Sequence, residues 1–268
     1  MRKLALSDEI LLKVDKAARY IGGEVNSVMK DKNAVDIRFA MCFPDVYEIG
    51  MSNLGMMILY NMFNQREDVW CERLFSPWPD LDKVMREKKI LLFALESQEP
   101  IRDFDFLGIT IGYEMCYTNI LQVLDLSGIP LKSADRGEDF PIVIGGGACA
   151  YNPEPLAPFF DMFYIGEGET VYDALFDAYK ANKKAGGSRK DFLLAAAKIP
   201  GIYVPSLYEV TYKEDGTIAS FAPTADGVPE KVQKQLIIDM EKEYRAVEAP
   251  VVPHIKATQD RVTLEIQR

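Results

Sequence analysis

Histidine is almost missing from this chain: His254 is the single one in 268 residues. Ser-His-Asp and Cys-His nucleophile arrangements are therefore excluded for any site built from the earlier residues. Cysteine is sparse as well. Cys42, Cys71, Cys116 and Cys149 stand far apart, without a Cys-x-x-Cys pair. That excludes a locally encoded zinc site and a disulfide scaffold, and leaves the thiols as small hydrophobes. No apolar run outlasts Ile90-Leu91-Leu92-Phe93-Ala94-Leu95, far short of the ~20 residues a membrane helix requires. Arg2-Lys3-Leu4-Ala5-Leu6 is cut off by Asp8-Glu9 before it can act as a signal peptide. A soluble, cytoplasmic protein is expected, with no membrane partner. Basic residues are outnumbered, 31 Lys and Arg against 41 Asp and Glu, for a net charge of −10. Such a surface repels phosphate backbones and argues against nucleic acid. Neither a Gly-Lys-Ser/Thr phosphate loop nor a Gly-x-Gly-x-x-Gly dinucleotide fingerprint occurs.

What the chain does have is hydrophobic residues, 48% of the total, arranged in a repeating order. Ser7 opens a predicted helix with Ile10, Val14, Ala17, Ala18 and Ile21 on one face, stopped at Gly22-Gly23. A β-like run, Val35 to Phe43, leads through a glycine-bearing loop into a helix with Leu54, Ile58 and Met62 on one stripe. Val69 to Phe75 reads as a short extended stretch and Pro77 to Lys89 as a helix. Further strands are expected at Ile90 to Leu95, Phe106 to Ile111, Pro141 to Ile144 and Met162 to Ile165. Thr170 is the expected cap of the helix after the last of them. Strand, loop and helix thus recur about five times, and the strands are apolar throughout rather than alternating. The fold class is α/β: a doubly wound, flavodoxin-like or Rossmann-like, mostly parallel five-stranded sheet over residues 34–185. Residues 1–33 form an N-terminal helical extension. Residues 186–249 are an extension whose stretch Tyr208 to Phe221, turning at Asp215-Gly216, predicts a β-hairpin; 227–244 can be helical or extended. Residues 250–268 are a Pro-marked linker followed by an alternating strand, Val262 to Ile266, expected to be the first strand of a further domain.

Ligands of an open parallel sheet sit beyond the carboxyl ends of its strands, so the loops there hold the candidate binding residues. The first loop offers Asp45, Tyr47, Gly50, Ser52, Asn53 and Gly55; the second, Tyr113, Glu114 and Asn119. Gly145, Gly146 and Gly147 either allow a ligand to approach the backbone or only make a tight strand exit. Gly166, Glu167, Gly168 and Glu169 close the last strand, where the carboxylates can accept ligand hydrogen bonds or cap the next helix. Polar groups of the second loop can equally serve an internal hydrogen-bond network. The four loops are expected to converge on one shelf. No catalytic group and no metal ligand is predicted, so this segment alone is not expected to catalyse.

The motifs also resemble those of a known family. Arg19-Tyr20-Ile21-Gly22-Gly23-Glu24-Val25-Asn26-Ser27-Val28, then Phe43-Pro44-Asp45-Val46-Tyr47-Glu48-Ile49-Gly50-Met51-Ser52-Asn53-Leu54-Gly55, resembles the start of uncharacterised radical S-adenosylmethionine (radical SAM) proteins. Their N-terminal part is similar to cobalamin-binding domains. Ile142-Val143-Ile144-Gly145-Gly146-Gly147, Asn152-Pro153-Glu154 and Gly166-Glu167-Gly168-Glu169 look like further signatures of that class. The resemblance implies an accessory domain of a radical SAM enzyme, holding cobalamin or a degenerate cobalamin site against the enzyme's own radical SAM domain. It also implies that the final strand leads into a Cys-x-x-x-Cys-x-x-Cys motif for the [4Fe–4S] cluster that cleaves S-adenosylmethionine, outside this chain. Cobalamin domains with an Asp-x-His-x-x-Gly loop supply a cobalt ligand from it; here the loop reads Pro44-Asp45-Val46-Tyr47-Glu48-Ile49-Gly50, so a corrinoid would be held by shape and by its amide rim. A non-enzymatic docking module for an unidentified substrate or partner is the alternative, and a flavin in the same loops a third reading.

Overall fold

The computed structural model describes residues 3–243, 247 and 249–252. The expected Val262–Ile266 strand and His254 lie outside the described residues. Six strands form the main sheet: β1 Ile37–Phe43, β2 Val69–Phe75, β3 Phe106–Thr110, β4 Ile142–Gly146, β5 Met162–Tyr164 and β6 Ile202–Tyr203. Their spatial order is β2-β1-β3-β4-β5-β6. The first five run parallel and β6 joins antiparallel, Phe163 opposite Tyr203. The doubly wound α/β reading stands, with one strand more than the five expected.

Alternation along β1 divides the interior in two. Phe39 and Met41 point into one core, while Ala40 and Cys42 point into the other. Both faces are covered, which is why β3, β4 and β5 read as nearly continuous apolar runs, while β1 and β2 carry Arg38, Glu72 and Arg73 among their apolar residues. On the first face Phe39 meets Phe63 at 5.0 Å and Phe106 at 5.7 Å, with Phe176 at 5.9 Å. The Phe39 ring lies across Gly108, where a Cβ would come within 2.4 Å of it. The central strand can carry that ring only because its neighbour has no side chain there.

Two elements differ from expectation. The N-terminal helix is two separate turns, α1 Asp8–Leu11 and α2 Ala18–Ile21, with Lys16 between them at φ +52°. Leu6, Ile10, Val14 and Tyr20 still pack into the second core, so the apolar face survives the break. Ile90 to Leu95 is not a sheet strand. It crosses the second face, with Leu92 N–H bonded to Leu126 O and Leu95 N–H to Arg73 O. An apolar run reports burial, not strand pairing, and Val69–Phe75 takes the place in the sheet.

The remaining helices include α3 Tyr47–Gly50, α4 Leu54–Gln65, α5 Pro79–Lys88, α6 Tyr117–Leu126, α7 Tyr172–Lys184 and α8 Arg189–Ala196. A capping box starts α8, Ser188 and Asp191 each bonding the other's backbone N–H. The hairpin forms as expected, β7 Tyr208–Tyr212 with β8 Ile218–Pro223. Its turn is fixed by Asp215, which accepts from the Thr217 N–H and hydroxyl, and Tyr208 stacks on Phe221 at 5.4 Å. Residues 227–244, open between two conformations in sequence, contain a bridge from Gln235 to Gly166 and a helical turn at Met240–Glu243. Among the described residues no helix is long and apolar enough to cross a membrane.

Charged groups tie the N-terminal segment to the sheet. Arg73, fully buried on β2, receives Glu24 from that segment at 2.7 Å and Glu96 at 2.6 Å. Arg38 on β1 meets Glu72 at 2.7 Å. Buried charges survive only when paired in this way.

Candidate ligand cleft

A cleft of about 670 Å³ opens at the carboxyl edge of the sheet, on the face covered by α4 and α7. Its floor comes from the strands: Met41 of β1, Gly108, Ile109 and Thr110 of β3, Ile144 and Gly146 of β4. One wall is the start of α4, from Asn53 to Leu59. Asn53 is the helix N-cap, its side-chain oxygen accepting from the Met56 N–H at 2.8 Å. The other wall is Tyr164, the loop Gly166–Glu169 and Tyr172. Tyr164 is held by its hydroxyl, which donates to Glu167 O at 2.5 Å and lies 3.0 Å from the Thr170 hydroxyl. Burial pushes the Tyr164 phenol up to about 12, so it stays a proton donor at neutral pH. Thr170 thus serves the loop rather than capping α7, whose N-cap is Val171.

Size and lining fit a small-molecule or cofactor site. No Lys, Arg or His is among the lining residues, whereas Glu167 and Glu169 are. The electrostatics favour a neutral or cationic ligand rich in donors, and offer phosphate no cationic partner.

Half of the sequence-predicted residues line this cleft: Asn53, Gly55, Gly146, Gly147, Gly166, Glu167, Gly168 and Glu169. The others are placed elsewhere. Tyr47 donates to Glu24 at 2.9 Å and packs edge-on against Phe75. Gly50 lies beneath that same Phe75 ring. Asp45 bonds the Val46 N–H and Ser52 donates to Glu48 O, both within the first loop, and Asn119, on α6, donates across to Pro44 O. Tyr113 is exposed against Met115. Glu114 is exposed beside Cys149, whose thiol is pushed up by burial and by that carboxylate. Gly145 faces the opposite core, packed by Ile111, Phe160 and Phe163. The expected shelf therefore gathers Gly146 and Glu167 but not Tyr47 or Tyr113. Sequence reading missed Met41, Gly108, Thr110, Gly112, Tyr164 and Tyr172, all of which line the cleft. Of these, Gly108, a glycine inside a β-run, and Gly112, the first residue of the second candidate loop, carried a sequence signal.

Fold and cleft together define a doubly wound α/β domain with a ligand cleft at its strand ends. The family described as "Radical SAM proteins, N-terminal" matches residues 55–205, more than half of the chain. The chain belongs to that family. An uncharacterized protein of Methanocaldococcus jannaschii is 26% identical over 131 residues, covering 48% of this chain and 24% of its own length. The chain thus spans about a quarter of that curated relative. Among solved structures, the radical S-adenosylmethionine methyltransferase TsrM of Kitasatospora setae, with tryptophan substrate and a SAM analog bound, is similar at 16% identity and a TM-score of 0.37. That match covers 73% of this chain and 36% of TsrM.

Proposed function

We propose that this domain is the accessory part of a radical SAM enzyme and that its cleft holds the broad face of a cobalamin, or keeps a degenerate form of that site, against the enzyme's catalytic domain. One observation carries the reading: Gly55, Gly112 and Gly146 line the cleft, yet the fold has no use for glycine at any of them. A Cβ would meet nothing within 4 Å at Gly112, only a carbonyl 4.0 Å away at Gly146, and only the Asn53 side chain at 3.4 Å at Gly55. None has positive φ. The start of α4, the loop after β3 and the end of β4 thus each leave backbone without a side chain facing a common space, as a wide, flat ligand requires.

The acceptors in the lining suit such a ligand. Glu169 and the Thr110 hydroxyl can accept hydrogen bonds, matching the amide N–H groups of a corrin rim. Neither the cleft lining nor the first loop contains a His to serve as a cobalt ligand. Recognition would rest on shape and on the rim. Bound cobalamin would supply a carrier for an alkyl group; these residues would bind and orient it and cover one face. S-adenosylmethionine and a [4Fe–4S] cluster belong, in this reading, to the catalytic domain, the domain's own partner.

The test is titration of the full-length protein with hydroxocobalamin, followed by corrin absorbance. A saturable shift that Gly146→Leu abolishes is expected. No shift with the wild-type protein, iron–sulfur cluster intact, overturns the cofactor reading and leaves the cleft as a docking surface.

A further inference from the structure

Gly166 belongs to the Gly166-Glu167-Gly168-Glu169 signature, and its lack of a side chain is explained by another part of the chain. Its φ is +132°, and a Cβ there would lie 2.3 Å from the carbonyl oxygen of Gln235. Gly201 faces the same segment, its Cβ position 2.8 Å from Gln235 Cγ. Gln235 pairs with Gly166 in a parallel bridge. Its N–H donates to Ile165 O at 3.1 Å, and its carbonyl accepts from the Glu167 N–H at 3.0 Å. Two residues on, the Ile237 N–H donates to the Glu167 carboxylate. One residue before, the Lys234 ammonium sits 5.0 Å over the ring of Tyr151, in the loop that follows Gly146 and Gly147.

We propose that residues 234–237 form a strap, seated on Gly166, which positions Glu167 and thereby sets the cleft wall. The strap touches both loops that border the cleft on this side. Its side chains are only partly buried: Lys234 and Leu236 are exposed, Leu236 to 53%, and Gln235 and Ile237 are half-buried. Polar anchors rather than apolar packing hold it, the condition for a segment that opens locally while the sheet stays folded. Glu167 is the joint. Its carboxylate meets the strap, and its carbonyl accepts from Tyr164 inside the cleft. It is therefore a positioning residue, and the carboxylate's role is to anchor the strap. The consequence for ligand affinity rests on the function proposed above; the strap itself is tested without ligand.

Amide hydrogen exchange on the full-length protein is the experiment. In the wild type the amides of Glu167, Gln235 and Ile237 are expected to be protected. Glu167→Ala should speed exchange at Ile237 on the order of tenfold, the loss of one hydrogen bond to a charged acceptor. Glu167→Gln keeps an acceptor oxygen and should retain most of the protection. Gly166→Ala should expose Gln235 and Glu167 while leaving Ile142–Gly146 of β4 unchanged. Fast exchange at all three amides in the wild type overturns the strap. So does Glu167→Gln exposing Ile237 as fully as Glu167→Ala, a pair that remains decisive if Gly166→Ala fails to fold. Hydroxocobalamin affinity, measured alongside, should fall on the order of tenfold for Glu167→Ala and hold for Glu167→Gln. An unchanged affinity for Glu167→Ala overturns the link to the cleft. Absence of any wild-type cobalamin binding counts against the proposed cofactor and leaves the exchange result to decide the strap.

Discussion

Arg73 and Glu96 meet with no solvent on either side: Arg73 Nε lies 2.6 Å from Glu96 Oε1, and the Arg73 backbone N–H donates to Oε2 at 2.6 Å. Glu24 supplies a second carboxylate to the same guanidinium at 2.9 and 2.7 Å. Removing one partner of such a pair strands a buried charge, at a cost of about 3–5 kcal/mol. Arg73→Met should therefore lower the urea midpoint sharply, because Glu24 and Glu96 both lose their buried cation. Adding Glu24→Gln and Glu96→Leu to it should recover a large part of the loss, because no charge is left unpaired at the centre. Equal losses in the single and triple variants would mean that shape, not charge, governs this site.

Paired and buried carboxylates also set a pH dependence. Burial would raise the Glu24 carboxyl, but hydrogen bonds and charge from Arg73 outweigh it and hold the group below its ordinary value. Asp68 is likewise lowered, first by its hydrogen bonds to Arg66 and also by Lys180. A carboxylate lowered in the folded state contributes stability above its unfolded pKa and loses it as pH falls through the folded one. Glu72 works the other way, raised by burial, so its ionisation costs stability as pH rises. Glu48, Glu99 and Asp177 are lowered too, so the lowered groups outweigh Glu72 and urea midpoints should fall as pH drops below the ordinary carboxylate range near about 4. Neutralising Glu24 by Glu24→Gln should flatten that fall.

Glycines 108 and 146 occupy neighbouring strands and should respond oppositely. Gly108→Ala drives a methyl group into the Phe39 ring and should cost roughly 1–3 kcal/mol through overpacking. Gly146→Val meets open space and should stay within about 0.5 kcal/mol of the parent while obstructing the cleft. Thermal melting of both variants, with hydroxocobalamin titration of the second, separates the core role from the ligand role.

Thiol chemistry gives a quick check on the packing. Cys42 and Cys71 are buried, whereas Cys116 and Cys149 are partly exposed. Burial pushes the Cys42 and Cys71 thiols well up. A chromogenic disulfide reagent at about pH 8 should modify Cys116 and Cys149 in the native protein, and Cys42 and Cys71 only in denaturant. Early reaction at Cys71 would place β2 in a different register.

The parallel sheet was legible because burial on both faces writes itself as apolar runs with no alternation, as in β3 and β4. The two-residue β6 left no such trace, and Ile90–Leu95 imitated a strand because crossing a buried face selects the same residues. The site was legible only as a set of loops. Which side chains turn inward is decided by distant partners: Tyr47 is drawn away by Glu24, and Gly166 answers to Gln235. A single sequence gives no sign of either pairing. Met41, Tyr164 and Tyr172 read as ordinary core residues and become lining only where α4 and α7 stand apart at the sheet's edge.

The segment before β1 bears on how the compact unit can be prepared. Besides Glu24, it provides Lys30, whose ammonium bonds the carbonyls of Asn64, Arg66 and Val69, and Val28, whose N–H and carbonyl meet Tyr60 and Trp70. A shortened chain starting at residue 34 would strip all of these at once. It should yield insoluble or loosely folded material, and preparations meant for crystallisation or ligand screening should keep everything from at least Glu24 onward.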